Sequence, residues 1–553
     1  MWENSLLSLS LNQVFLLLII IKMAYKFEPP YYPIVYVRGY AEEQEDKLAT
    51  AVDPYYGFAT LTEYNKQLNV GHGHVLSHIY KSPLWTLVSN SCEDNSTVLG
   101  YQEGEKIPAD HDESINPSKS IWLSRVCALD SKSYKQRSMK KDALELLNLL
   151  VYEIPKKLVA LGMNEDTVRN DYKVILIAHG IAGLVCRTMM QNLLPDFKLK
   201  KDDEVPILAL EKITDPEKLI HKFVTIGTPH KGHDMGTQDS HVTYSVYKPI
   251  NPYNANGFAS ERMREYLKLT DLKFDTHSLG NSTFPLKRCL CIIGSDHTRY
   301  HSNKDAPAFS DGVVKQDHAY LVGAERPADN AAYDEKNVAF YANIHRAQTG
   351  VCGMVPSVES WAHIQRFLFG DLRVRIALDN LAIHTKQTEE YDYFYDFEFA
   401  YTVKGCGVYL HRRQLDPCEN PIRLGRSEVG AKELFLHNAF LDSKRTYAKT
   451  GSHFMMKIAV QEYRADKSLH YDAQYPSRTI YSENLEVRIK YCKGKIPNYC
   501  AQYSWQGDNE TWNDFAYNPN GDFVVSLVTN PVLAEKVNVT GDIVLRAFDW
   551  TVG

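Results

Sequence analysis

Residues 172–187, Y-K-V-I-L-I-A-H-G-I-A-G-L-V-C-R, have the pattern of a strand, a sharp turn and a helix, with Gly180 at the turn. Residues 174–178 are apolar and rich in β-branched types, as in a strand buried on both faces, and residues 181–194 have helical spacing up to Pro195. A serine on such a turn could act as a nucleophile and form a covalent intermediate. Glycine tolerates the strained backbone of the turn but has no hydroxyl, so Gly180 cannot form that intermediate.

Two other strings extend the pattern. Residues 33–37, P-I-V-Y-V, indicate a buried strand, which is followed by R-G-Y. Residues 222–232 contain the string V-T-I-G-T-P-H-K-G, in which a strand runs into a loop. Together with the turn at Gly180, these strings resemble the lipase and esterase type of α/β-hydrolase. The resemblance implies that Gly180 stands at the nucleophile position of the elbow, where Ala178 and Ala182 replace the usual flanking glycines.

The resemblance also implies an oxyanion hole made of backbone N–H groups. In this sequence the donors would be Gly39, Tyr40 and Ile181. Arg38 stands where many lipases have a histidine, but a backbone donor needs no particular side chain. The oxyanion hole could therefore persist in this chain.

An acid and a general base complete what the resemblance implies. Asp311, in S-D-G-V-V after the strand at residues 290–294, is at the place of the triad carboxylate, although an aspartate before glycine is also common in surface turns. His345, in N-I-H-R-A-Q-T-G-V, is the histidine of the loop before the last helix. Many lipases have His-x-Gly-aliphatic there, which matches Gln348 and the three residues after it. The base is thus either His345 or is lost to Gln348, whose amide cannot take a proton from a hydroxyl.

Two functions of different class are consistent with these residues. The first is a lipase-like pseudoenzyme, catalytically impaired as a serine hydrolase, whose pocket still binds an acyl ester or lipid-like ligand. The second is an active carboxylester hydrolase, lipase-like or phospholipase-like, in which Gly180 is an engineered or allelic change. The further departures at Arg38, Ala182 and Gln348 favour the first, because an engineered change would usually alter the serine alone.

The predicted helices and strands that position these residues fall into two regions of the chain. Alternating strand and helix patterns over residues 23–370 predict an α/β-hydrolase-type, mostly parallel sheet with helices on both faces, interrupted by insertions at 41–119 and 235–285, the second at the place of a lid. Period-two alternation over residues 371–553, most clearly Y-D-Y-F-Y-D-F-E-F at 391–399, predicts a C-terminal all-β, sandwich-like domain.

Composition narrows the classes of partner. The chain has 553 residues and a formal net charge of −6, with no dense basic patch, which argues against nucleic-acid binding. No spacing among the ten cysteines matches a metal or redox pattern, so free thiols in a reducing compartment are expected. His72, His74 and His78 lack an acidic or cysteine partner at a fitting spacing. The sequence therefore predicts neither a metal nor a cofactor.

The first 22 residues pose a separate question of targeting. Residues 5–21 are apolar enough for an anchor, which would allow membrane association, but Glu3 replaces the basic residues that precede a secretory signal. Lys22 and Lys26 follow the apolar run, so an inserted segment would leave the rest of the protein in the cytoplasm. We favour Met23 as the true start, with residues 1–22 as a spurious extension and a cytoplasmic protein.

Overall fold

The computed structural model describes residues 25–37, 67–68, 75–76, 98–100, 116–124, 138–199, 204–232, 260–298, 309–323, 337–348, 352–385, 388–443, 451–466, 478–492, 498–505, 511–528 and 537–550. The N-terminal segment 1–22, most of the expected insertion 41–119 and residues 235–259 of the expected insertion 235–285 lie outside these ranges. Within them, no helix is long and apolar enough to cross a membrane.

A seven-stranded parallel sheet forms the first half of the chain. Every residue of its strands β6 and β7 is buried, as the apolar runs at these positions predict. The sheet has the order β4-β5-β1-β6-β7-β8-β9, and β2 pairs with β3 in a separate hairpin. The strands are β1 Ile34–Val37, β2 Gln67–Leu68, β3 Val75–Leu76, β4 Val98–Gly100, β5 Ile121–Ser124, β6 Val174–His179, β7 Ile220–Ile226, β8 Cys289–Gly294 and β9 Phe340–Ile344.

Helices connect these strands and cover the sheet. Two α-helices are continued by five-residue π-helical segments, Leu149–Glu153 and Met189–Leu193. The first ends two residues before Pro155, which has no N–H for an α-helical bond. The α-helices are α1 Met139–Asn148, α2 Ile154–Ala160, α3 Glu165–Asp171, α4 Ala182–Thr188, α5 Leu210–Ile213, α6 Pro216–Leu219, α7 Ser260–Tyr266 and α8 Val358–Phe369.

Two antiparallel sheets form the second half, as the period-two pattern predicts. Inward-facing residues of both sheets share one apolar core, which makes this region a β-sandwich. The first sheet has the order β14-β10-β21-β20-β19, and the second has the order β12-β11-β15-β16-β17-β18, with β13 also paired to β11. The strands are β10 Leu372–Thr385, β11 Tyr391–Val403, β12 His411–Arg413, β13 Ile422–Gly425, β14 Leu434–Leu441, β15 Ser452–Asp466, β16 Arg478–Tyr491, β17 Tyr499–Trp505, β18 Asn513–Asp514, β19 Ala516–Tyr517, β20 Phe523–Ser526 and β21 Val537–Asp549.

The fold class is therefore confirmed: a parallel α/β sheet followed by a β-sandwich. Helix α8 begins after Ser357, whose Oγ accepts the Ser360 N–H at 3.1 Å, and it ends at Phe369, just before β10 starts at Leu372. This is the expected N-terminal cap. The division into domains at residue 370 remains a prediction.

Two details differ from the sequence expectations. The expected insertion 41–119 contributes Val98–Gly100 to the parallel sheet as β4. Cys492 and Cys500 are disulfide-bonded between β16 and β17 and not free, because adjacent antiparallel strands bring them together. Of the described cysteines, the other six are free.

Candidate functional site

The turn between β6 and α4 has the geometry that its sequence predicts. Gly180 has a φ of +55°, in the left-handed region that favours glycine. Its N–H donates to the Ile226 carbonyl at 2.9 Å, and its own carbonyl accepts the Thr228 hydroxyl at 2.8 Å. The loop after β7 therefore fixes the turn at the carboxyl edge of the sheet.

Gln348 is the side chain that the structure places against Gly180. A Cβ added at Gly180 would lie 3.3 Å from Gln348 Nε2, and this nitrogen donates to the Gly227 carbonyl at 2.9 Å. Gln348 is only 4% exposed, and its Oε1 has no hydrogen-bond partner among the residues that the structure describes. A neutral amide thus occupies the space beside the turn.

The carboxylate candidate is connected to Gln348 through the backbone. The Gln348 N–H donates to the Asp311 carbonyl at 3.0 Å. Asp311 is 1% exposed, and its Oδ1 accepts the N–H groups of Val313 at 2.9 Å and Val314 at 2.7 Å. Gly180, Gln348 and Asp311 are thus connected through short contacts at one edge of the sheet.

His345 lies beside the segment that follows β8. Its Nδ1 lies 3.3 Å from the hydroxyl of Ser295, the residue after β8. The ring is half-buried, and it is Gln348, three residues further along the chain, that contacts Gly180. A different histidine, which the sequence patterns did not assign to the site, contacts Gln348. His179 donates from Nε2 to the Gln348 carbonyl at 3.2 Å.

Of the three expected oxyanion donors, Ile181 is described, and Gly39 and Tyr40 lie outside the described residues. Ile181 is 8% exposed and immediately precedes α4. Backbone N–H groups at the start of a helix have no acceptor within it. The Ile181 N–H is thus at a chemically suitable position, one residue after Gly180.

A buried arginine in α4 ties three segments together, and no spacing pattern in the sequence indicates it. Arg187 of α4 is 0% exposed and donates to the carbonyls of His230 at 2.9 Å, Thr276 at 2.7 Å and Ser278 at 2.6 Å. Burial lowers the pKa of Arg187 to about 10, so it stays charged at neutral pH. Burial, and then the charge of Arg187, hold the pKa of His230 well below its usual range. His230 is therefore a neutral structural residue.

A close approach between α4 and the loop after β7 was also missed. A Cβ at Gly183 would stand 2.3 Å from Thr228 Oγ1 and 2.5 Å from its Cγ2. The contact that requires glycine is thus at Gly183, one residue after Ala182. Since this contact joins residues 45 positions apart, single-sequence spacing could not reveal it.

No group of three or more metal-ligating side chains occurs within the described ranges. His72, His74 and His78, which the sequence analysis weighed as metal ligands, lie outside those ranges.

Comparison with protein-family models and with curated protein sequences finds no match. Among solved structures, phospholipase PlaB from Legionella pneumophila has a TM-score of 0.32 and 11% identity over 79% of this chain and 91% of its own. The lipase BlEst2 from Bacillus licheniformis, in its propeptide form, has a TM-score of 0.27 and 9% identity over 84% and 96%. EstA from Clostridium botulinum has a TM-score of 0.25 and 14% identity over 59% and 83%. These scores are too low to support a functional assignment, which therefore depends on this chain's own residues.

Proposed function

We propose that this protein is a lipase-like α/β-hydrolase-fold protein that has lost serine-hydrolase catalysis and binds an acyl ester or lipid-like ligand. In this proposal, residues 23–370 are the hydrolase-like domain and residues 371–553 a separate sandwich domain. Gly180 stands at the nucleophile position, Gln348 at the base position, and Asp311 at the carboxylate position.

The 3.3 Å separation between the Gln348 amide nitrogen and a Cβ placed at Gly180 is the observation that carries the proposal. Nucleophilic catalysis needs a hydroxyl or thiol with a base within hydrogen-bond reach. Here a side chain at the turn would meet an amide that already donates to the Gly227 carbonyl. In this proposal, both reacting groups of a serine hydrolase are replaced at neighbouring positions.

Cys186 of α4, the cysteine nearest to the turn in the sequence, does not replace the missing hydroxyl. Its side chain is 0% exposed, and burial raises the pKa of its thiol well above the usual range. A protonated, buried thiol is a poor nucleophile.

Restoring the replaced groups tests the proposal. We expect the wild-type protein and the Gly180→Ser variant not to turn over p-nitrophenyl butyrate or laurate, because Gln348 cannot act as a base. The double variant Gly180→Ser/Gln348→His should exceed the single variant by about 100-fold, the lower range for general-base catalysis. Adding Asp311→Asn to the double variant should remove most of that gain.

Enzyme-like turnover by the wild type would overturn the loss of catalysis. Strong activity of Gly180→Ser alone would favour the alternative, a hydrolase altered only at its serine, with His345 as its base. The binding claim is tested separately with cis-parinaric acid, a fluorescent fatty acid. Saturable binding by the wild type that Gln348→Trp weakens is expected, and absence of binding would refute the ligand class.

A further inference from the structure

A loop of the β-sandwich contacts the loop that carries Asp311. The Phe309 N–H donates to Glu419 Oε2 at 3.2 Å. Gln316 Nε2 donates to the Cys418 carbonyl at 3.0 Å, and Asn420 Nδ2 donates to Gln316 Oε1 at 2.8 Å. Residues 415–420 thus hold residues 309 and 316, which lie on either side of Asp311.

Phe309 and Gln316 also close the Asp311 loop. The Gln316 N–H donates to the Phe309 carbonyl at 2.9 Å, and inside this closure the Asp311 N–H donates to the Val314 carbonyl at 3.2 Å. The sandwich loop therefore contacts the base of a closed loop whose interior amides fix the Asp311 carboxylate.

The backbone at this junction is strained on both sides. Phe309 has a φ of +58° and Glu419 a φ of +53°, although neither is glycine. The left-handed conformation is unfavourable for residues with a side chain, and it persists where surrounding contacts determine it. Here the two strained residues are hydrogen-bonded to each other.

The same sandwich loop also reaches the segment after β8. Glu419 Oε2 lies 3.8 Å from His297 Nδ1. Two segments at the carboxyl edge of the parallel sheet are thereby attached to the sandwich.

We propose that residues 415–420 of the sandwich, chiefly Glu419, position the Asp311 loop of the candidate site. Glu419 is a positioning residue that acts through the Phe309 backbone and does not touch the ligand. The sandwich is then a structural part of the site and not an independent module. Glu419 holds the Asp311 loop whether or not a ligand binds. That this contact affects ligand binding rests on the proposed function.

Hydrogen exchange of the full-length protein, followed by mass spectrometry, tests the positioning. Glu419→Ala should speed exchange in peptides covering residues 309–318 by about tenfold or more, because the Phe309 N–H loses a charged acceptor. Glu419→Gln keeps an acceptor oxygen and should restore most of the protection. Glu428→Ala is the matched control, since Glu428 accepts the Gly425 N–H at 2.6 Å within the sandwich.

A uniform rise in exchange across the chain, or a rise equal to that of Glu428→Ala, would contradict the proposal, as would unchanged protection at 309–318. Binding of cis-parinaric acid by the same variants separates the two proposals. Weaker binding by Glu419→Ala, with rescue by Glu419→Gln, connects the junction to the ligand site. If the wild type binds no fatty acid, the proposed function fails, while the exchange result still decides the positioning.

Discussion

At the scale of single residues, the candidate site combines a glycine turn with a buried amide. The sequence identified Gly180 and Asp311 but left His345 and Gln348 as alternatives, because periodicity does not determine the path of a loop. In the structure, hydrogen bonds set that path: Gln348 N–H to the Asp311 carbonyl, and Met354 N–H to the Ala347 carbonyl at 2.9 Å. Such contacts join residues that are distant in sequence or bend a short loop back on itself, and neither leaves a spacing pattern.

Gly183 gives a residue-scale prediction. Gly183→Ala should lower the free energy of unfolding by about 1–3 kcal/mol, because the new Cβ would overlap the Thr228 side chain. Thr228→Ala alone should also destabilise, through loss of the bond to the Gly180 carbonyl. Chemical denaturation of both single variants and the double variant measures the coupling. The loss of unfolding free energy in the double variant should be smaller than the sum of the losses in the two single variants. Simple additivity would show that the predicted overlap does not occur.

At the scale of elements, buried strands were predicted well and their connections poorly. The apolar run at 174–178 became β6, and the run after Lys222 became part of β7, because a strand buried on both faces leaves a continuous hydrophobic signature. The π-helical segments left no such signature, since a stretch of five residues is too short to establish a hydrophobic period of its own.

The end of α8 shows how one buried cation connects elements. Lys222 of β7 is 1% exposed, and its Nζ donates to the carbonyls of Phe367 at 2.7 Å and Leu368 at 3.1 Å. The ammonium also lies 4.8 Å from the centroid of the Trp550 ring, from the end of the sandwich. Burial lowers the pKa of Lys222 to about 7. Strand, helix and sandwich therefore meet at this side chain.

Lys222→Met tests this role, because it keeps the apolar stem and removes the donor. The Leu368 carbonyl would lose its Lys222 donor, so we expect a loss of about 2 kcal/mol in the free energy of unfolding. Lys218→Met, at a position whose side chain is 56% exposed, is the control and should stay within about 0.5 kcal/mol of wild type. Urea unfolding monitored by circular dichroism measures both. Equal effects of the two substitutions would mean that the buried hydrogen bonds of Lys222 make no net contribution to the free energy of unfolding.

At the scale of the whole molecule, the two halves share an interface of aromatic rings and neutral histidines. Phe440 and Trp550 of the sandwich belong to the core of the parallel-sheet region. Nearby, His411 and His437 stack with ring centroids 4.1 Å apart, and His363 of α8 lies 5.6 Å from His437. All three rings are at most 2% exposed. Period-two alternation predicted the sandwich but could not show that it packs against the sheet through these rings.

Because the three histidines are buried, the interface should be sensitive to acid. Burial lowers the pKa of His363 to about 4, with a smaller opposing effect of its bond to the Leu410 carbonyl and a lowering by Arg366. Burial likewise lowers the pKa of His411 and His437, each with added repulsion from neighbouring histidines. An unfolded histidine binds its proton near pH 6.5, so between about pH 6.5 and 4 the unfolded chain holds more protons than the folded one. The free energy of unfolding should therefore fall as pH drops through this window.

His363→Gln isolates the contribution of one ring, because glutamine can still donate to the Leu410 carbonyl, which His363 Nε2 contacts at 2.6 Å, but does not titrate. We expect unfolding free energies measured at half-unit steps from pH 7 to pH 4 to fall less steeply in this variant than in wild type. His384→Gln, which removes an exposed ring from β10, should keep the wild-type slope. If His363→Gln and wild type lose stability in parallel, His363 takes up its proton over the same pH range in the folded and the unfolded state. Burial of the ring would then not be what makes the interface acid-sensitive.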